Sequence, residues 1–314
     1  MAIATTFTCP NYSGMLYTKS NRSTPFLNAI GAAVYSRSVE FPVNQEYSLG
    51  NPAQPAISET ASLTAPTPTT VTRSQAYNVC QIFHEAVGTS YAHSSNMGYM
   101  SGLNIAGQEP DPQDELDWQI ARAMEKIAAN INYTFLNGAY NKAANDSQIN
   151  KTRGIIAAAT TNLTYGTTAH TLSKADIKKM LKSVFDNSGI VDGGILFMNA
   201  ATKVALTALY EDSTSAFLLP NSRTVGGASI DQLVTDFGTV GVQIDRMMPD
   251  EKILFCNQNV VRPVEMIVPF KGNFFYEELA KTGAGTSGQI FGQIGLDYGP
   301  EWYHGVLNYA ATSA

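Results

Sequence analysis

Residues 111–137, Asp-Pro-Gln-Asp-Glu-Leu-Asp-Trp-Gln-Ile-Ala-Arg-Ala-Met-Glu-Lys-Ile-Ala-Ala-Asn-Ile-Asn-Tyr-Thr-Phe-Leu-Asn, read as one long amphipathic helix. Asp111 suits the cap, Pro112 the first helical position, and Asp114 and Glu115 the positive end of the helix dipole. Leu116, Ile120, Met124, Ile127, Ile131 and Phe135 recur at steps of three and four, which makes one apolar face. Asp117, Arg122, Glu125, Lys126 and Asn130 fall off that face, and Asn137-Gly138 is a common helix-ending pair. At ~1.5 Å per residue the rod is roughly 39 Å long. That length suits a structural spine better than a small compact domain.

The chain on either side of this rod differs in character. Residues 1–75 carry seven charges (Lys19, Arg22, Arg37, Glu40, Glu46, Glu59 and Arg73) and are rich in Ser, Thr, Asn, Gln and Pro. Such a segment either stays disordered or becomes ordered against neighbouring molecules. Its few charges and its scattered Phe41, Val43, Tyr47, Leu49, Ile57 and Leu63 favour the second. Within it, Thr24-Pro25 reads as a helix cap and first turn, and Ser36–Tyr47 and Thr70–Val87 read as two long strands joined by a Pro-rich tip. Beyond the rod, helices at Leu172–Phe185 and Ala200–Tyr210 alternate with strands at Gly194–Met198, Gly238–Asp245 and Lys252–Asn257. Thr171 or Ser173 would cap the first of these helices, and Asn187-Ser188-Gly189 would end it. That alternation fits a small α/β unit. From Phe270 to Tyr309 strands return, with Ile290, Ile294 and Leu296 on the core side of an alternating run.

The composition excludes several classes. Charged residues are 15% of the chain, below the roughly 25% usual for soluble domains. A chain that buries surface against copies of itself can carry less charge. The net charge of −6 and the absence of a basic cluster larger than Lys178-Lys179 argue against a dedicated nucleic-acid binder. Three widely spaced cysteines, Cys9, Cys80 and Cys256, do not form a disulfide framework. No apolar run reaches the roughly 18 residues of a membrane span, and the start lacks the pattern of a secretory signal.

No motif carries chemistry convincingly. Gly283-Ala-Gly285-Thr-Ser-Gly288 matches a dinucleotide fingerprint in letters, but a strand follows it where a helix is needed, and Lys281 precedes the glycines, so a Walker loop is excluded. A hairpin connection is the better reading. His84-Glu85 lacks the second histidine of a zinc protease motif, and Cys80 with His84 makes a poor chelate on a strand. His93, His170 and His304 have no partner pattern, and Glu277-Glu278 alternate across a strand. Tyr298, Trp302 and Tyr303 could stack bases, but without basic neighbours they read as core or interface aromatics. No catalytic, cofactor-binding or metal-ligating residue is assigned, no cofactor is expected, and an enzyme is not expected.

The order of elements resembles one family, the major capsid proteins of tailed bacteriophages with the Hong Kong 97-type fold, in the SU-ten-like branch. Thr24–Gly31 looks like the helix before the extended loop, Gln81–Thr89 like the strand closing it, and Gln113–Asn137 like the spine helix. Asp236-Phe237-Gly238 with Val240–Arg246 resembles a strand pair of the axial domain, and Leu279–Gly283 with Trp302–Val306 resembles the closing peripheral strands. The resemblance implies an α+β fold with an N-terminal arm at about 1–35 and an extended β-loop at 36–83. It places the peripheral domain with the spine helix at 84–149, an α/β axial domain at 150–265, and closing peripheral strands at 266–314. It further implies self-assembly into hexamers and pentamers of an icosahedral head, formed in the bacterial host cytoplasm around double-stranded DNA that is contacted non-specifically. A portal and a separate scaffolding protein are the implied partners, with no membrane. The stretch before Thr24 is too short for a fused scaffolding segment, and residues 88–110 are richer in Gly and Ser than the family pattern suggests. An encapsulin-like compartment shell and a phage tail component are the alternatives.

Overall fold

The computed structural model describes residues 23–49, 52–68, 70–92, 115–164, 171–211 and 231–309. In chain order these form α1 (Pro25–Ala29), β1 (Val34–Ser36), β2 (Glu40–Tyr47), α2 (Glu59–Ser62), β3 (Arg73–Val79), β4 (Gln81–Ser90) and the long α3 (Glu115–Asn137). Then come α4 (Ile155–Ala158), β5 (Leu163–Thr164), α5 (Lys174–Asp186), β6 (Ile195–Met198), α6 (Ala200–Glu211), β7 (Gln232–Thr235) and β8 (Gly238–Ile244). The chain closes with β9 (Lys252–Cys256), β10 (Arg262–Met266), β11 (Phe275–Glu278), β12 (Gly285–Asp297), a 3-10 turn (Glu301–Tyr303) and β13 (Gly305–Asn308). The expected helix start at Asp111-Pro112 lies outside the described residues.

Strand β12 organises a five-stranded sheet. Strand β4 runs antiparallel along one of its edges, from Gly285↔Ser90 to Ile294↔Gln81. Strands β11 and β10 follow one another along the other edge, both antiparallel, and β1 lies parallel to β10. Alternation fixes the core side, because Ile290, Ile294 and Leu296 are buried while Gln289, Phe291 and Gln293 are not. Glycine interrupts this strand for a reason of space. A Cβ on Gly288 would come within 2.3 Å of the Tyr276 ring, and one on Gly292 within 2.3 Å of the Phe274 ring.

Helix α3 lies against this sheet, with Ala123, Ile127, Ile131 and Phe135 packed in one cluster with Phe83, Val87, Ile290 and Ile294. Met124, expected on the buried face, is 38% exposed. At that level of the helix the buried residues are Ala123 and Ile127, and at ~100° per residue Met124 stands about 60° from Ile127 on the side away from Ala123. Towards the helix end, α1 and the turn after β8 add a second wall, with Phe26 and Met248 in the same cluster. There Phe135 and Leu136 are both fully buried.

The second sheet has six strands in the order β5-β13-β9-β6-β8-β7. Its central strands are apolar on both sides. Phe197, Leu254, Cys256 and Val306 join the α3 cluster, while Leu196, Met198, Ile253, Phe255 and Leu307 pack beneath α5 and α6 with Ile177, Met180, Leu181 and Leu206. Ser173 is the residue that caps α5, its backbone N–H and its hydroxyl both donating to Asp176 Oδ2 at 2.8 Å. Asn187 ends that helix, followed by Ser188 at φ 66°.

Two local expectations fail. Thr24 does not cap α1 with its side chain. The free amides of that helix reach distant groups instead. Phe26 N donates to Asp245 Oδ2 (3.3 Å), Leu27 N donates to Asn132 Oδ1 (3.0 Å), and Asn132 Nδ2 donates to the same Asp245 oxygen (2.9 Å). A buried carboxylate and amide therefore clamp α1 to the spine helix and to the end of β8. Truncating Asn132 to Leu would orphan Leu27 N and remove a donor from a buried carboxylate. We expect a loss of about 2–4 kcal/mol in stability, read from the denaturant midpoint of the unassembled subunit.

The second failure is at Cys80. The run Thr70–Val87 is not one strand. It breaks at Cys80, whose amide donates to Val39 O (2.8 Å) and whose side chain packs with Phe41 and Val264. Strand β3 pairs with β2, whereas β4 pairs with β12, so the chain changes sheet there. Asn78 holds the change of direction, donating to Leu296 O (2.7 Å) and accepting from Arg153 N (2.8 Å).

Candidate assembly surface

The residues that could carry chemistry are placed apart or used structurally. Cys80 is buried, and burial pushes its thiol up to about 11. His84 is exposed, bonded to Gln289 Oε1 at 3.0 Å beside the Phe291 ring, while Glu85 pairs with Lys126 of α3. Cys256 is fully buried, which raises its thiol further. Glu277 is bonded to Lys271 (2.6 Å), which holds its carboxyl below the usual range, and Glu278 faces Gly288 of β12. Gly285 opens β12 and residues 279–284 connect it to β11, so the glycine run is a hairpin connection with no helix after it. Tyr298 is buried, and Trp302 and Tyr303 sit edge to face on the 3-10 turn next to Glu301. Cys9, His93 and His170 lie outside the described residues. Among the described residues no group of three or more His, Cys, Asp or Glu could hold a metal, and no helix is long and apolar enough to cross a membrane.

His304 has a structural task that its isolation in sequence hides. It is fully buried between Tyr298 O, 2.7 Å from Nε2, and the Asn257 amide, which donates to Nδ1 at 3.3 Å. Nε2 therefore carries the proton and the ring is neutral. Nearby, Asn162 uses both ends of its amide, donating to Trp302 O and His304 O and accepting from Ser183 and Asn187. Burial pushes the His304 pKa down to about 4, against the weaker opposing pulls of the Tyr298 carbonyl and Glu301. The unfolded chain takes up the proton near pH 6.5 and the folded chain only near 4. Stability from the neutral ring is thus complete above 6.5 and falls as pH drops toward 4, by about 3 kcal/mol in all. We expect His304→Gln to flatten this part of the stability–pH profile of the unassembled subunit; parallel profiles would refute the assignment.

The unusual surface is the ribbon formed by β2 and β3. It is anchored at its base by buried Phe41 and Val79 and by Lys142 Nζ donating to Glu40 Oε2 (2.6 Å). From Glu40↔Val79 the register runs outward to Tyr47↔Arg73, with a bulge between Pro42 and Asn44. Beyond the base most side chains are exposed, with Val43, Asn44 and Ala76 half-buried. Tyr47, Leu49, Ile57, Leu63, Val71 and Tyr77 all stand in solvent, Leu63 at 85%. At the tip, Ser58 accepts from Ala61 N to start the one-turn helix α2. A two-stranded ribbon is marginal by itself in water, and apolar residues so displayed mark a contact surface. The geometry supports binding to another surface.

A sequence model of the family described as SU10 major capsid protein matches residues 2–311. No curated protein sequence matches the chain. Among solved structures, the capsid of Cyanophage A-1(L) is similar at TM-score 0.67 and 12% identity, covering 95% of this chain and 96% of that one. The capsid of an empty GTA particle is similar at TM-score 0.61 and 14% identity, covering 94% and 100%. The holo-SrpI encapsulin complex from Synechococcus elongatus is similar at TM-score 0.58 and 11% identity, covering 100% and 96%. At these identities the likeness shows a shared fold, the Hong Kong 97-type fold of the phage capsids.

Proposed function

The chain belongs to the SU10 major capsid protein family, and from that premise we propose that it builds the icosahedral head of a tailed bacteriophage as hexamers and pentamers around double-stranded DNA. Its role is that of a structural capsid protein, and we assign it no catalytic step. The reading divides the chain as the resemblance implies, with an arm at about 1–35, an extended loop at 36–83, a peripheral domain at 84–149 and 266–314, and an axial domain at 150–265, except that β13 (Gly305–Asn308) of the closing segment pairs with β9 and β5 and so goes with the axial sheet. The loop lies across a neighbouring subunit, a portal and a separate scaffolding protein complete the assembly, and the shell forms in the host cytoplasm.

The observation that carries the reading is the β2–β3 ribbon, which displays apolar side chains that nothing in its own body covers among the described residues. Burial against a sister molecule would offset the entropy of ordering it. A closed symmetric array multiplies such contacts, so each can be weak. The net charge of −6 suits a wall that encloses DNA without gripping it.

Electron microscopy and sedimentation of the purified chain test this. Closed shells are expected, with DNA inside particles taken from infected cells. Shells filled with a protein cargo would favour the encapsulin-like alternative, and tubes or spikes a tail component. A compact monomer with the ribbon folded onto its own body would overturn the proposal.

A further inference from the structure

A second apolar projection stands on the opposite edge of β12 from β4, in the connection between β10 and β11. Val268 and Gly272 form an isolated bridge, and Val268 O accepts from both Lys271 N (3.1 Å) and Gly272 N (3.0 Å). This tight turn lifts Phe270 into solvent with a relative exposure of 109%, the highest of the large hydrophobic residues among the described residues. Phe270 also has φ 66°, a left-handed conformation that a bulky side chain rarely adopts. Ile267, beside it, is exposed as well. The one cation at the tip is already engaged, since Lys271 Nζ bonds to Glu277 and lies 5.3 Å from the Phe275 ring centre. The tip is therefore a hydrogen-bonded turn that is apolar and electrically balanced.

Each feature has an ordinary explanation alone, but together they have a direction. Strained backbone persists where surrounding structure enforces it, and here the enforcing turn projects a ring that packs on nothing among the described residues. A fully exposed aromatic on a hydrogen-bonded turn belongs to the class of residues enriched at protein interfaces. The balanced charge disfavours DNA, which would need free cations.

We propose that the Phe270 tip is an anchor between copies of this chain, separate from the β2–β3 ribbon, with the ring buried against an apolar surface of a second copy. The proposal rests on the capsid reading, which supplies the second copy.

The test turns on Phe270→Gly. Glycine relieves the left-handed conformation, so the unassembled subunit should melt at the same temperature or higher, while assembly falls at least tenfold in shell yield. Phe270→Trp, which keeps an aromatic ring, should retain assembly. A benzophenone amino acid at position 270, irradiated in purified shells, should give a product of twice the chain mass. Wild-type shell yield from Phe270→Gly, a lowered melting temperature of its subunit, or the absence of the double-mass product would each overturn the anchor. All three leave the capsid reading intact, whereas failure of the wild-type chain to form shells removes both.

Discussion

Ile127→Asp is expected to leave the subunit unfolded or insoluble, while Met124→Asp, three residues away on the same helix, is expected to behave almost as wild type. Ile127 is 3% exposed and packs in the cluster that joins α3 to β4 and β12. A carboxylate there would replace an isobutyl-sized group by a charge with no cation in the cluster. Loss of apolar burial and the cost of an unpaired charge together come to about 4 kcal/mol or more. That is a large fraction of the 5–15 kcal/mol that typically holds a domain folded. Met124 is 38% exposed, so its replacement should cost under ~1 kcal/mol. Soluble yield and urea melts of the two variants read the rotation of the helix directly. Equal behaviour of the pair would mean that the helix is turned differently on its sheet.

That pair also marks the boundary of what periodicity can tell. Spacings of three and four place Ile127 and Met124 on one face, and they do so correctly for Leu116, Ile120, Ile127, Ile131 and Phe135. The width of the buried face, however, depends on what lies over it. That is decided by α1 and the turn after β8, more than 100 residues away along the chain. Elements held by their own neighbours were legible for the same reason. The cap of α5, narrowed to Thr171 or Ser173 and found at Ser173, Asn187 at the end of that helix, and the alternation around Ile290 all depend on contacts within a few residues or on a strict two-residue period.

The misreadings are long-range. Thr24 has the right chemistry for a cap, but Asp245 and Asn132 reach the amides first, and no local pattern announces them. A buried Asn on an otherwise apolar helix face, as Asn132 is, was the available signal. Cys80 sits in a run with strand composition on both sides, so composition could not reveal that the run serves two different sheets. The exposed ribbon was legible in outline, because a segment poor in charge, rich in Pro and dotted with apolar residues has no core of its own. Its ribbon form follows from the pairing of Tyr47 with Arg73 and everything inward of it. Phe270 was invisible, since one Phe in a strand-rich tail reads as core until its backbone conformation is known.

The pairing of Tyr47 with Arg73 makes the remaining large effect testable. Residues 48–72 can be replaced by Asn-Gly, a two-residue turn whose twist matches an antiparallel pair. The shortened chain keeps the base of the ribbon, including Phe41, Val79 and the Lys142–Glu40 pair. It loses Leu49, Ile57 and Leu63, none of which contributes to any core cluster. Closing a shorter loop costs slightly less entropy, by about 0.6 kcal/mol per halving of length. The melting temperature of the unassembled subunit should therefore stay level or rise slightly. Shell formation should fail outright, because every subunit of a closed array loses the same contact and the losses multiply around each capsomer. Sedimentation should show subunits or small oligomers, and electron microscopy no closed particles. If the shortened chain still built shells of normal size and yield, the tip would be dispensable, and the contact between neighbours would have to lie in the base of the ribbon or elsewhere on the body.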